Sequence, residues 1–154
     1  MILSSLQEFY SFFENNKPII AIDYGAKKIG LAISSPDYLI AMPYLVISNA
    51  KDSEKITKIL DVILKNKVCG IVIGLPVNMD GTDSKQTTIV KNFATNLAKK
   101  TLLPLYLQDE RLTSKLADNL LKNMGFNRKK RNEIDDVLAA SLILETTLEA
   151  IKRL

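Results

Sequence analysis

The sequence predicts a mixed α/β fold, in which a three-stranded antiparallel meander is followed by two parallel strands, with helices flanking the sheet. Three observations carry that expectation. Two apolar runs, "PIIAIDYG" and "KIGLAIS", are joined by a turn containing Gly25, and a third extended run, "YLIAMPYLVIS", follows. From Ser53 onward helical and strand-like periodicities alternate, which calls for right-handed crossovers and parallel pairing. The length, 154 residues, and the hydrophobic fraction, 47%, suit one compact domain spanning residues 1–154.

Taken in order, Leu6, Phe9, Tyr10 and Phe13 stand at helical spacing within Leu3 to Asn15, so an amphipathic N-terminal extension is expected over residues 1–16. The meander occupies residues 18–48. Ile56, Ile59, Leu60, Ile63 and Leu64 then predict a helix from Ser53 to Lys65. It feeds a continuous buried strand, "VCGIVIG". After the loop "LPVNMDGT", Ile89, Val90, Phe93 and Leu97 predict a helix from Ser84 to Lys100, and "LPLYLQDE" predicts the last strand. Thr113 or Ser114 is a suitable cap for a helix ending at Gly125. "FNRKKRNE" reads as the lead into a final helix from about Glu133 to Lys152, apolar nearly all round and so largely buried.

Composition narrows the chemistry. The chain has no histidine and no tryptophan, which excludes Ser-His-Asp and Cys-His catalysis and histidine-ligated zinc. Its one cysteine, Cys69, lies in an apolar run and reads as a small buried hydrophobe; a disulfide framework and a CxxC metal site are excluded. The net charge of +4 leans toward an anionic partner such as nucleic acid. No apolar stretch reaches the roughly 20 residues a membrane span needs, and the N-terminus carries acids in place of a basic leader, so a cytoplasmic location away from membranes is expected.

Acids break the apolar pattern at three places. Asp23 ends the first predicted strand, Glu110 ends the last, and Asp135 with Asp136 opens the final helix. Each has a plain reading on its own: a turn cap, a partner for Arg111, or acids favoured by a helix dipole. In α/β sheets, however, functional groups gather at the carboxyl ends of parallel strands, where such segments converge. Clustered carboxylates must be protonated or neutralised by a cation. Without histidine, the suitable cation is Mg²⁺ or Mn²⁺, one or two ions, held by oxygen donors with positions left for phosphate oxygens.

The segments "DYGAKKIGLAIS", "GLPVNMDGT", "DERLTS" and "DDVLAA" resemble, in order and context, the YqgF/RuvX family over roughly Pro18 to Leu148. Members are described as Holliday junction resolvases or pre-16S rRNA nucleases with an RNase H-like fold. The resemblance implies an acidic triad on Asp23, Glu110 and Asp136, with Asp136 selected over Asp135 by the D-x-x-A-A spacing. It also implies a metal-dependent endonuclease that processes the 5' end of pre-16S rRNA in ribosome biogenesis. Two departures stand out: Lys27-Lys28 replaces the usual Lys-Arg, and Ser34-Ser35 replaces Ser-Asp, with Asp37 displaced.

Several side chains are candidates for substrate contact. Asn78 and Thr82 sit in a loop whose amides, with the following helix N-terminus, suit a phosphate; the same Asp80-Gly81 pair also suits a plain turn. Arg128, Lys129, Lys130 and Arg131 precede the helix bearing Asp136, and Lys28 and Arg111 flank the other acids. Two further function classes compete. An actin-like ATPase or sugar kinase also uses D-x-G turns, but encloses its nucleotide between two domains. A non-catalytic nucleic-acid-binding assembly factor on ribosomal particles needs the basic residues and not the acids. A resolvase acting on branched DNA needs two active sites, hence a homodimer.

Overall fold

The computed structural model describes residues 1–48, 51–110, Asn123, Gly125 and 128–154, with residues 128–137 described by their backbone alone. The strands are β1 (Ile2–Leu3), β2 (Ile19–Tyr24), β3 (Lys28–Ser34), β4 (Ala41–Ser48), β5 (Gly70–Leu75) and β6 (Leu105–Asp109). Among the described residues the helical elements with full bounds are α1 (Leu6–Tyr10), α2 (Asp52–Asn66), α3 (Lys85–Ala98) and α4 (Arg128–Lys152). They form one mixed sheet in the order β1-β6-β5-β2-β3-β4. The β2-β3-β4 meander is antiparallel, while β5 pairs parallel with both β2 and β6.

The sheet has six strands where five were expected. The extra one, β1, pairs parallel with β6 through Ile2–Leu105 and Leu3–Tyr106. Two residues are too few to display a period of two, so sequence periodicity alone places Leu3 in the helix that follows. That helix is also shorter than Leu3 to Asn15: the Ser5 side chain accepts from the Glu8 amide and caps a single stretch from Leu6 to Tyr10. It still buries Phe9 completely, against Phe13 and Tyr106.

Alternation along the strands divides the core into two layers. Ile20, Ile22, Ile71, Ile73 and Leu105 face α2 and α3, where Ile56, Ile59, Val62, Val90, Phe93 and Leu97 meet them. Ile19, Ala21, Ala32 and Val72 face the other way, onto α1 and α4, with Ala140, Ile143, Leu144 and Leu148. The second layer is thin, because Ala21, Ala32 and Ala140 are small and let α4 lie close to the sheet. In α2 the stripe is Lys55, Ile56, Ile59 and Val62, while Leu64 is 82% exposed; the apolar face therefore lies one step N-terminal of the one expected.

Helix α4 begins at Arg128, a turn earlier than Glu133, so "RKKR" is helical and not a lead-in loop. The expected helix ahead of Gly125 lies outside the described residues, although Gly125 itself takes a φ of +85°, the left-handed value that suits glycine at a helix stop. Among the described residues no helix is long and apolar enough to cross a membrane.

Candidate active site

The strand parity that sorts the core also sorts the acids. Ile19 and Ala21 face α4, so Asp23, two residues on, does too; Val72 and Tyr106 likewise put Gly74 and then Gln108 and Glu110 on that face. Registers bring them level. Ile22 pairs with Ile73, and Gly74 with Gln108, so Asp23 and Gly74 stand at matching positions one residue beyond the last β2–β5 pair. The Glu110 amide continues the ladder by donating to the Leu75 carbonyl at 3.2 Å. Asp23 and Glu110 thus share one face at the carboxyl edge of the parallel strands, under α4.

This proximity has an electrostatic signature. Burial, then the charges of Asp23 and Asp109, push the Glu110 carboxyl up to about 8 from an ordinary 4.5. Glu110 lies against Gly74 and Ile143: a Cβ built on Gly74 would sit 2.8 Å from Glu110 Oε2 and closer still to Ile143 Cδ1. Beside it, the Thr147 hydroxyl donates to Gln108 Oε1 at 3.1 Å and ties α4 to β6.

The turn after Asp23 is held from beneath by Lys55, which is 1% exposed. Its Nζ donates to the Ala26 carbonyl at 2.8 Å and the Gly25 carbonyl at 3.4 Å, lies 3.3 Å from Asp52 Oδ1 and sits over the Tyr24 ring. The Tyr24 hydroxyl in turn donates to Asp52, and burial together with that carboxylate raises the phenol above its usual range. Gly25 is required there, since a Cβ would meet the Lys28 carbonyl oxygen at 2.6 Å. Lys55 was not singled out by sequence, yet a signal existed: it stands four residues before Ile59 and seven before Val62, on the buried stripe of α2.

The other expected residues fall into three groups. Lys28 is exposed at the start of β3. Asn78 and Thr82 lie together in the loop after β5, where the Asn78 amide group donates to Thr82 Oγ1 at 2.9 Å, and both the Thr82 amide and hydroxyl donate to Asp80. The next helix, α3, is closed at its N-terminus by a Ser84–Thr87 capping box, and the Thr87 hydroxyl also donates to the Pro76 carbonyl. Arg111 lies outside the described residues. Arg128, Lys129, Lys130, Arg131, Asp135 and Asp136 belong to α4, their side chains outside the described ones.

The described donor set is oxygen-rich and suits a hard divalent ion: two carboxylates on one sheet face, one of them pushed up to about 8 by burial and by the charges of Asp23 and Asp109. Among the described residues no group of three acids, cysteines or histidines is placed to hold a metal ion. The third acid expected from sequence is Asp136.

A mixed sheet with carboxylates at its parallel edge, under a closely packed final helix, defines the RNase H-like class of nuclease folds. The fold is similar to that of Thermus thermophilus RuvC, with a TM-score of 0.51, 15% identity and coverage of 88% of this chain and 96% of that one. A RuvC structure from the same organism in complex with a Holliday junction substrate matches with a TM-score of 0.50 at 15% identity, over 82% of this chain and 91% of that one. The family model described as "RuvX: Holliday junction resolvase" matches residues 17–150. The chain belongs to this RuvX (YqgF) family. Relatives named "Putative pre-16S rRNA nuclease" include one from Rickettsia africae, 53% identical over the whole of both chains. Another, from Rickettsia typhi, is 54% identical over 99% of this chain and 98% of its own.

Proposed function

We propose that this protein is a metal-dependent endonuclease that hydrolyses phosphodiester bonds in the cytoplasm, with the 5' end of pre-16S rRNA as its substrate. The observation that carries this reading is the Asp23–Glu110 pair: two carboxylates on one sheet face, one pushed up to about 8 by burial and by the other. A protein has little reason to keep such a pair unless a cation completes it. Relatives matched over nearly the whole of both chains and named "Putative pre-16S rRNA nuclease" support pre-16S rRNA as the substrate.

Asp23, Glu110 and Asp136 would hold Mg²⁺ or Mn²⁺. Position 136 supports its part in two ways. It stands seven residues before Ile143, two helical turns along α4, in line with the residue that covers Gly74. It also lies beyond the first turn of α4, where a dipole role for an acid has faded; that first turn contains no acid. Arg128, Lys129, Lys130 and Arg131 occupy the helix start, where cations oppose the macrodipole, so the dipole does not account for them and phosphate contact is the better account.

When bound, the metal supplies Lewis acidity for attack of water on phosphorus and for departure of the sugar oxygen. The protein's own groups do the rest. Asp23, fixed by its strand, and Glu110, on losing its proton to solvent, would hold the ion, while Lys28, Arg111 and the basic turn of α4 would align the backbone phosphates. Asn78 and Thr82, in the loop that follows β5 at the same sheet edge, would add hydrogen bonds to the substrate.

The family description favours a second substrate, a four-way DNA junction. Incubation of the purified protein with labelled pre-16S rRNA and with a four-way junction, in Mg²⁺, Mn²⁺ or EDTA, separates the two. Metal-dependent cleavage of the RNA, lost in Asp23→Asn and Asp136→Asn, is the expected result. Cleavage of the junction alone would transfer the activity to branched DNA. Binding without cleavage of either, unchanged in both variants, would leave a ribosome assembly factor.

A further inference from the structure

We propose that Gly74 is a positioning residue whose missing side chain forms the seat of the Glu110 carboxylate. The inference rests on the metal-site reading of Asp23 and Glu110 and extends it to a residue with no polar group of its own.

Three observations carry it. The position a Cβ would take on Gly74 lies 2.8 Å from Glu110 Oε2 and 3.0 Å from Glu110 Cδ, and closer to Ile143 Cδ1; the Oε2 and Cδ1 approaches are ones that real Cβ atoms essentially never show. All of these atoms are the ends of side chains and none is backbone. Finally, the Glu110 main chain is independently fixed, its amide paired with the Leu75 carbonyl. A methyl at position 74 therefore leaves the strands in place and moves what can swing: the Glu110 carboxylate on one side and the Ile143 terminus on the other. The backbone of Gly74 has no positive φ, so conformational freedom is not the reason for glycine here. The glycine of "VIGLP" is there because the carboxylate and α4 both occupy the space above it.

The effects on the two neighbours are separable. Ile143→Val removes the Cδ1 methyl and makes room on the helix side, but leaves Glu110 crowded. A crystal structure of metal-free Gly74→Ala, and of Gly74→Ala combined with Ile143→Val, reads the seat directly; Mn²⁺ titration calorimetry and thermal melting read its consequence. Glu110 is expected to be displaced by more than about 1 Å in both variants with the β5 and β6 backbones unmoved. Melting should stay within a few degrees of the parent, and Mn²⁺ affinity should fall at least tenfold. A carboxylate that keeps its place in the double variant, or wild-type Mn²⁺ affinity regained on adding Ile143→Val, would overturn the proposal, since α4 alone would then be the cause. If the parent itself binds no Mn²⁺, the metal reading fails while the displaced or undisplaced carboxylate still decides the seat. Should Gly74→Ala not fold alone, the double variant carries the same test.

Discussion

Asp23, at the end of β2, acts on Glu110, at the end of β6, across an intervening strand: after burial, its charge is the largest contribution holding the Glu110 carboxyl up to about 8. The ordinary value is 4.5, so the folded chain binds a proton between these limits that the unfolded chain has released. Stability then falls as pH rises from 4.5 toward 8, and is fullest below 4.5, where both states carry the proton. Denaturation in EDTA across this range should show that decline, and Glu110→Gln should flatten it. Asp23→Asn should bring the Glu110 carboxyl down, seen as an earlier titration of its ¹³C resonance.

Lys55 fixes the turn that follows Asp23. Lys55→Met keeps the length and bulk of the side chain but leaves the Gly25 and Ala26 carbonyls without this donor and Asp52 with only the Tyr24 hydroxyl of these two donors. A loss of about 1–3 kcal/mol is expected, the cost of unmet hydrogen bonds at a partly buried site. Faster amide exchange confined to residues 24–28 would show that the loss is local, whereas uniform acceleration would point to a general packing role.

The α3 capping box should contribute to stability and leave catalysis alone. Ser84→Ala removes the acceptor for the Thr87 amide, which should cost about 1 kcal/mol in urea denaturation. Cleavage under folding conditions should be unchanged, because the helix N-terminus is closed by its own side chains.

The basic first turn of α4 should set salt dependence. Replacing Arg128, Lys129, Lys130 and Arg131 with Gln is expected to weaken RNA binding and flatten the slope of log affinity against log salt by up to about 0.7 per lost phosphate contact on a single strand. Fluorescence anisotropy at several salt concentrations measures both. An unchanged slope would remove these residues from the interface.

Much of the fold was legible because long apolar runs declare their period. The meander, β5, β6, α2 and α3 follow from such runs, and their ends came within a few residues. The two-residue β1 had no period to show, and its existence depends on β6, distant in sequence. The start of α4 was missed because "RKKR" carries no apolar stripe, although basic residues propagate a helix well. At the site, Asp23 and Glu110 were visible as acids interrupting apolar strands. Lys55 was hidden because lysine is ordinarily solvated, and its burial depends on carbonyls 29 and 30 residues away. Gly74 was hidden because its role lies in what it lacks.

The most direct test of the account is the binding of Mn²⁺ to the purified chain at pH 7, followed by calorimetry in two buffers of different ionisation enthalpy. With Glu110 at about 8, the ion must displace a proton, so binding should release close to one proton per site, and both Asp23→Asn and Glu110→Gln should weaken it at least tenfold. Failure of Mn²⁺ to bind, or binding that is indifferent to both substitutions, would contradict the assignment of this carboxylate pair as a metal centre.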